Sequence, residues 1–150
     1  MAEWIEPIFD RTIDDVNYAI AKIEEWKQTG TTDVIDLKGC LNVSDINRID
    51  GNIQYLKERL NALYYFPSTV HVVWGGDDLP DEMDVDMLLL SLANTITAYF
   101  KPTNSPDVPD TMLTYTQIND IEKILYLVKE MIEDMVASFR ECGTFNCGEG

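Results

Sequence analysis

Residues 46–63, INRIDGNIQYLKERLNAL, place Ile46, Ile49, Ile53, Leu56, Leu60 and Leu63 at alternating steps of three and four. That spacing puts all of them on one side of a 3.6-residue helix. The frame returns 72 positions later in 118–135, INDIEKILYLVKEMIEDM, as Ile118, Ile121, Leu125, Val128, Ile132 and Met135. Neighbouring positions repeat at the same offset: Leu41/Leu113, Asn47/Asn119, Asp50/Glu122, Lys57/Lys129 and Glu58/Glu130. Upstream, Ile13, Val16 and Ile20 map onto Val85, Leu88 and Leu92.

The doubling predicts an all-α four-helix bundle made of two duplicated hairpins with pseudo-twofold symmetry. The first repeat covers about 1–72, the second about 73–142, and 143–150 is a glycine-rich tail. Two copies are too few for a solenoid.

Local signals give the boundaries. Thr12 with Asp15 three residues later is a weakened capping box, so the first helix is expected from Ile13 to Lys27. Its apolar stripe is Ile13, Val16, Ala19, Ile20, Ile23 and Trp26. Ser44 is read as the cap of a second helix, Asp45 to Tyr64, in which Gly51 leaves room for another backbone. Pro67 closes the first copy.

Val70–Trp74 is β-branched and bounded by Pro67 and Gly75, which predicts a short extended segment near 70–74. A third helix is expected over Asp84–Tyr99. The proline-containing stretch Lys101–Thr111 reads as an exposed loop. A fourth helix, capped by Thr114 or Thr116, runs to about Phe139. Ile124, Leu127 and Met131 give it a second apolar row, so it should lie centrally. A second extended segment is expected near 143–147.

Composition limits function. The 150 residues carry 27 Asp and Glu against 11 Lys and Arg, a formal charge of −16. Such a surface repels nucleic acid and anionic membrane and favours basic partners or cations. The longest apolar stretch, 87–100, is too short and too interrupted to span a bilayer. The N-terminus lacks the features of a signal peptide, so export by the general secretory route is not expected and the cytoplasm is. Cys40, Cys142 and Cys147 suggest no disulfide framework, and their spacing with a single His suits zinc poorly.

Asp77, Asp78, Asp81 and Asp84 form weak metal candidates, since hard cations take several oxygen ligands. The D-x-[DN]-x-[DN]-G pattern is missing, and acids gather at helix N-termini in any case, so no metal is assigned. His71 would need an orienting carboxylate to act as a catalyst. Asn47 and Asn119 read as structural side chains that fix a neighbouring loop. Val72, Trp74 and Phe145 are candidate interaction residues, because their segments offer partners backbone edges or aromatic anchors of the kind enriched in interface cores. With no phosphate-binding, nucleophile-elbow or metalloprotease motif, the expectation is a non-enzymatic protein without cofactors.

The stretches Asp10-Arg11-Thr12, Leu37-Lys38-Gly39, Asp45-Ile46-Asn47-Arg48-Ile49, Leu113-Thr114-Tyr115-Thr116 and Gly143-Thr144-Phe145 together give the chain a family likeness. It resembles helical structural modules from the tail and baseplate regions of phages and prophages of gut Firmicutes. That resemblance implies a virion component or adaptor, with other virion proteins or further copies of itself as partners. It carries over no catalytic residue. The glycine-rich ending looks like the place where such modules continue into β-rich parts. The alternative is a small regulatory bundle that binds a ligand, a cation or a basic peptide.

Overall fold

A computed structural model describes residues 2–30, 36–71 and 82–144, with side chains through Phe139. Among the described residues there are four helices: α1 (Ile13–Thr29), α2 (Val43–Ala62), α3 (Glu82–Ala98) and α4 (Tyr115–Thr144). No strand occurs among the described residues. The all-α bundle is as expected. Within it, α2 packs against both α4 and α3.

The repeated apolar frames become the core. Ile46, Ile49, Ile53, Leu56 and Leu60 of α2 are buried against Ile118, Ile121, Leu125, Val128 and Ile132 of α4. Ile124 of the second row is buried as well, and Met131 packs on the core's edge. From α3 come Leu88, Leu89 and Leu92. Removing such side chains from water drives the assembly, at roughly 1.5–3 kcal/mol each.

Helix α1 departs from expectation. No residue of it belongs to this core. Ala19 is its one buried residue among those described, while Ile13 and Ile20 are 54% and 55% exposed. Periodicity says that a helix has an apolar side; it does not say that a neighbour covers all of it.

What holds α1 is its attachment. A Cβ on Gly39 would lie 2.2 Å from the Asp15 carbonyl oxygen and 2.6 Å from Val16 Cα, so the 36–42 connection runs against the α1 backbone. Close approach therefore occurs at Gly39 and not at Gly51, where an added Cβ would meet nothing within 4 Å.

The ends of the helices follow side-chain chemistry. Thr12 and Asp15 form the expected capping box, with Thr12 N–H donating to Asp15 Oδ2 at 2.9 Å and Asp15 N–H to Thr12 Oγ1 at 3.3 Å. Gly30, at φ 72°, closes α1 by donating its N–H to the Trp26 carbonyl. The start of α2 corrects the Ser44 assignment. Asn42 is the cap, and Asp45 reaches back to accept from its backbone N–H at 2.9 Å, leaving Ser44 inside the helix to donate to Asp36. At the start of α4 the same device recurs, with Gln117 Oε1 accepting from Thr114 N–H at 3.1 Å.

Further corrections concern the chain's later parts. Helix α4 continues through Thr144, so residues 143 and 144 are helical where an extended segment was expected. The 101–111 connection is no free loop: Pro102 is buried, Val108 packs on the core, and Met112 just beyond is buried too. Val70 and His71 are non-helical, as expected, and the rest of 70–74 and of 145–147 lies outside the described residues.

Candidate functional site

Two regions concentrate polar chemistry or unfilled surface. The first is a cluster of four charges sealed between the N-terminal lead, α2 and α4. Arg11 comes from the lead, Asp45 and Arg48 from the first turns of α2, and Glu122 from α4. All four are buried, and Glu122 is 0% exposed.

Arg11 Nη1 donates to Glu122 Oε2 at 2.7 Å and to the Ile8 carbonyl at 2.5 Å, while its Nη2 meets Asp45 Oδ1 at 3.0 Å. Arg48 donates through Nε to Glu122 Oε1 at 2.6 Å and through Nη2 to Glu122 Oε2 at 3.0 Å and Asp45 Oδ1 at 2.6 Å. Two cations thus face two anions, and the net charge is zero. Burial opposes the Arg48 charge, but hydrogen bonds and attraction from Glu122, then Asp45, outweigh it and hold its pKa above the ordinary guanidinium value.

Asparagines fasten the lead around this cluster. Asn119 accepts from Arg11 N–H at 3.2 Å and donates to the Arg11 carbonyl at 2.9 Å. Asn52 does the same for Ile5, accepting at 3.0 Å and donating at 2.8 Å. A side-chain amide matches backbone N–H and C=O donor for acceptor, so each pair satisfies the backbone of one residue of the lead. The structural reading of Asn119 is therefore correct, and Asn52 was missed.

A cavity of about 250 Å³ adjoins the cluster, with Ile8, Lys38, Asn42 and Ser44 among its lining. Arg11 Nε beside it is buried without a hydrogen-bond partner.

At the position equivalent to Glu122, 72 residues earlier, Asp50 is likewise buried. Its Oδ2 lies 2.5 Å from Nδ1 of His71, a side chain 60% exposed. The sole histidine therefore has the orienting carboxylate that sequence could not show.

The second region lies along the first half of α3. Leu41, Val85, Met112 and Leu113 form the apolar part of a groove of about 530 Å³, and Glu82, Asp86 and Asp110 form its rim. No Lys or Arg is among its described lining residues. Leu113, the repeat partner of Leu41, is 85% exposed. Around α3 from this groove come Leu90 and Met83, at 59% and 65% exposure, with Met87 beyond them.

Asp77, Asp78 and Asp81 lie outside the described residues, as do Val72, Trp74 and Phe145. Asp84 sits in the first turn of α3. No group of three or more His, Cys, Asp or Glu suited to a metal occurs among the described residues. No described helix is long and apolar enough to cross a membrane. Comparison of the chain with protein-family models, curated proteins and solved structures finds no match.

Proposed function

We propose that the chain is a non-enzymatic adaptor or structural module that works by binding other proteins, within a phage-type particle. The observation that carries the binding part is the outer side of α3. That helix buries Leu88, Leu89 and Leu92 on one side, yet the bundle leaves Met83, Met87 and Leu90 to solvent on another. Large apolar side chains grouped on an exposed helix face are a common mark of a protein-binding surface. The particle assignment rests on the resemblance of the sequence to tail and baseplate modules. In that setting the chain would assemble into the virion after synthesis in the bacterial host.

The test is affinity capture against the products of neighbouring genes, followed by cross-link mapping. Cross-links that fall on α3 and residues 110–113 support the module. A chain that stays monomeric at high concentration and captures none of those products overturns it.

One observation favours a ligand-binding bundle as the second reading: the cavity beside Arg11 and Lys38, with the unpartnered Arg11 Nε next to it. Calorimetry with small carboxylates and amino acids separates the two, since heat at micromolar affinity would favour the bundle.

A further inference from the structure

We propose that the groove beside α3 receives a basic amphipathic helix from a partner protein. The inference rests on the adaptor reading of the same face and names the chemistry of what binds there.

Charge is the first ground. From Leu60 to Glu122 the chain has one Lys or Arg, Lys101, and that residue is already paired with Asp107. The groove and the α3 face beside it therefore lie in the most acidic part of a chain of net charge −16. A second copy would bring the same charge to the same place and be repelled, and so would nucleic acid. A cationic protein segment is attracted.

Shape is the second ground. At 100° per residue, Val85, Glu82, Asp86, Leu90, Met83 and Met87 follow one another around α3. The two acids thus stand between the apolar groove on one side and the methionine-containing stripe on the other. An amphipathic helix lying along α3 would seat apolar side chains on Val85, Met112 and Leu113. Its Lys or Arg side chains would meet Glu82, Asp86 and Asp110. Methionine is unbranched and adaptable, which suits a surface that accepts helices of differing sequence.

The experiment uses the full chain and a fluorescein-labelled Leu/Lys amphipathic peptide of about 18 residues, long enough to span α3 at 1.5 Å per residue. A scrambled peptide of the same composition is the reference, and anisotropy is read at physiological salt.

The amphipathic peptide is expected to bind at least about tenfold tighter than the scrambled one. The variant Glu82→Gln/Asp86→Asn and, separately, Leu113→Ser should each weaken it about five- to tenfold. Both should keep native circular dichroism, because the three side chains are exposed. Charge removal on α1, Glu24→Gln/Glu25→Gln, should change affinity less than about twofold.

Equal binding of the two peptides, no binding of either, or equal weakening by the α1 variant overturns the proposal. If the peptide fails while neighbouring gene products are still captured through another face, the adaptor reading stands and this inference falls.

Discussion

Glu122 and Arg48 join α4 to α2 through a two-pronged contact, Nε to Oε1 at 2.6 Å and Nη2 to Oε2 at 3.0 Å. The guanidinium fork matches the carboxylate plane, which fixes orientation as well as distance. Arg11 approaches the same carboxylate from the N-terminal lead, so a single acid organises three segments.

Removal of that acid should be costly for a definite reason. Glu122→Leu leaves two guanidinium groups facing Asp45 alone, and breaking a buried pair in this way costs about 3–5 kcal/mol. Replacing the cations too, as Arg11→Met/Arg48→Met/Glu122→Leu, should recover much of that loss, because no charge is then stranded. Urea unfolding of both variants checks the order. A loss below about 1 kcal/mol for Glu122→Leu would show that water reaches the cluster.

Two glycines should respond with opposite signs. Gly39→Ala sets a methyl group against the Asp15 and Val16 backbone and must lift α1 from its seat. The expected loss is above about 2 kcal/mol, with faster hydrogen exchange confined first to α1. Gly51→Ala meets open space inside α2 and should stabilise by about 0.5–1 kcal/mol. Thermal unfolding of the two proteins reads both signs.

Stability should also decline in alkali. Burial, and then Tyr65 nearby, raises the Tyr99 pKa above 10.0, and burial, and then Asp45, raises that of Cys40 above 9.0. For each, the folded state holds its proton more tightly than the unfolded chain. The contribution is complete below the unfolded pKa and is lost as pH rises through the folded one. Urea midpoints should therefore fall from about pH 9 upward. Cys40→Ser should flatten the earlier part of the decline and Tyr99→Phe the later part.

The asparagine clasps predict which end loosens first. Asn52→Ala or Asn119→Ala leaves a peptide N–H and C=O of the lead unpaired, at about 1–3 kcal/mol. Trp4, which packs against Tyr55 at 5.5 Å between ring centres, should lose its anchorage in Asn52→Ala. Limited proteolysis should then cut within residues 2–12 before any helix is attacked. Cleavage at the same rate as in the parent chain would count against the clasp.

The seams of α2 and α4 could be read from sequence because burial imposes a period on apolar residues, and here both frames line the core, with Leu63 and Met135 half-buried at its edge. The charged cluster could not. Asp45 and Arg48 look like ordinary residues of a helix's first turns, and nothing local announces that Arg11 and Glu122, 111 positions apart, neutralise them. One faint signal existed: Glu122 interrupts a helix whose apolar rows cover two sides, at the place where the other repeat has Asp50. The start of α2 was misread because Ser44 is a good cap in isolation. Asn42 has what Ser44 lacks, an acid three residues later that can reach back. The groove was invisible because it joins α3 to residues 110–113, and only folding brings them together. Leu41 and Leu113 correspond across the repeat, but that correspondence carries no hint that both line it.

The long reach from Arg11 to Glu122 sets the order in which a growing chain can mature. While the ribosome is still making α3, the lead and α2 already exist, but the acid that gathers their arginines has not been polymerised. Neither element can settle until the last helix emerges, so native structure should appear late and all at once, with little stable fold in the nascent N-terminal half.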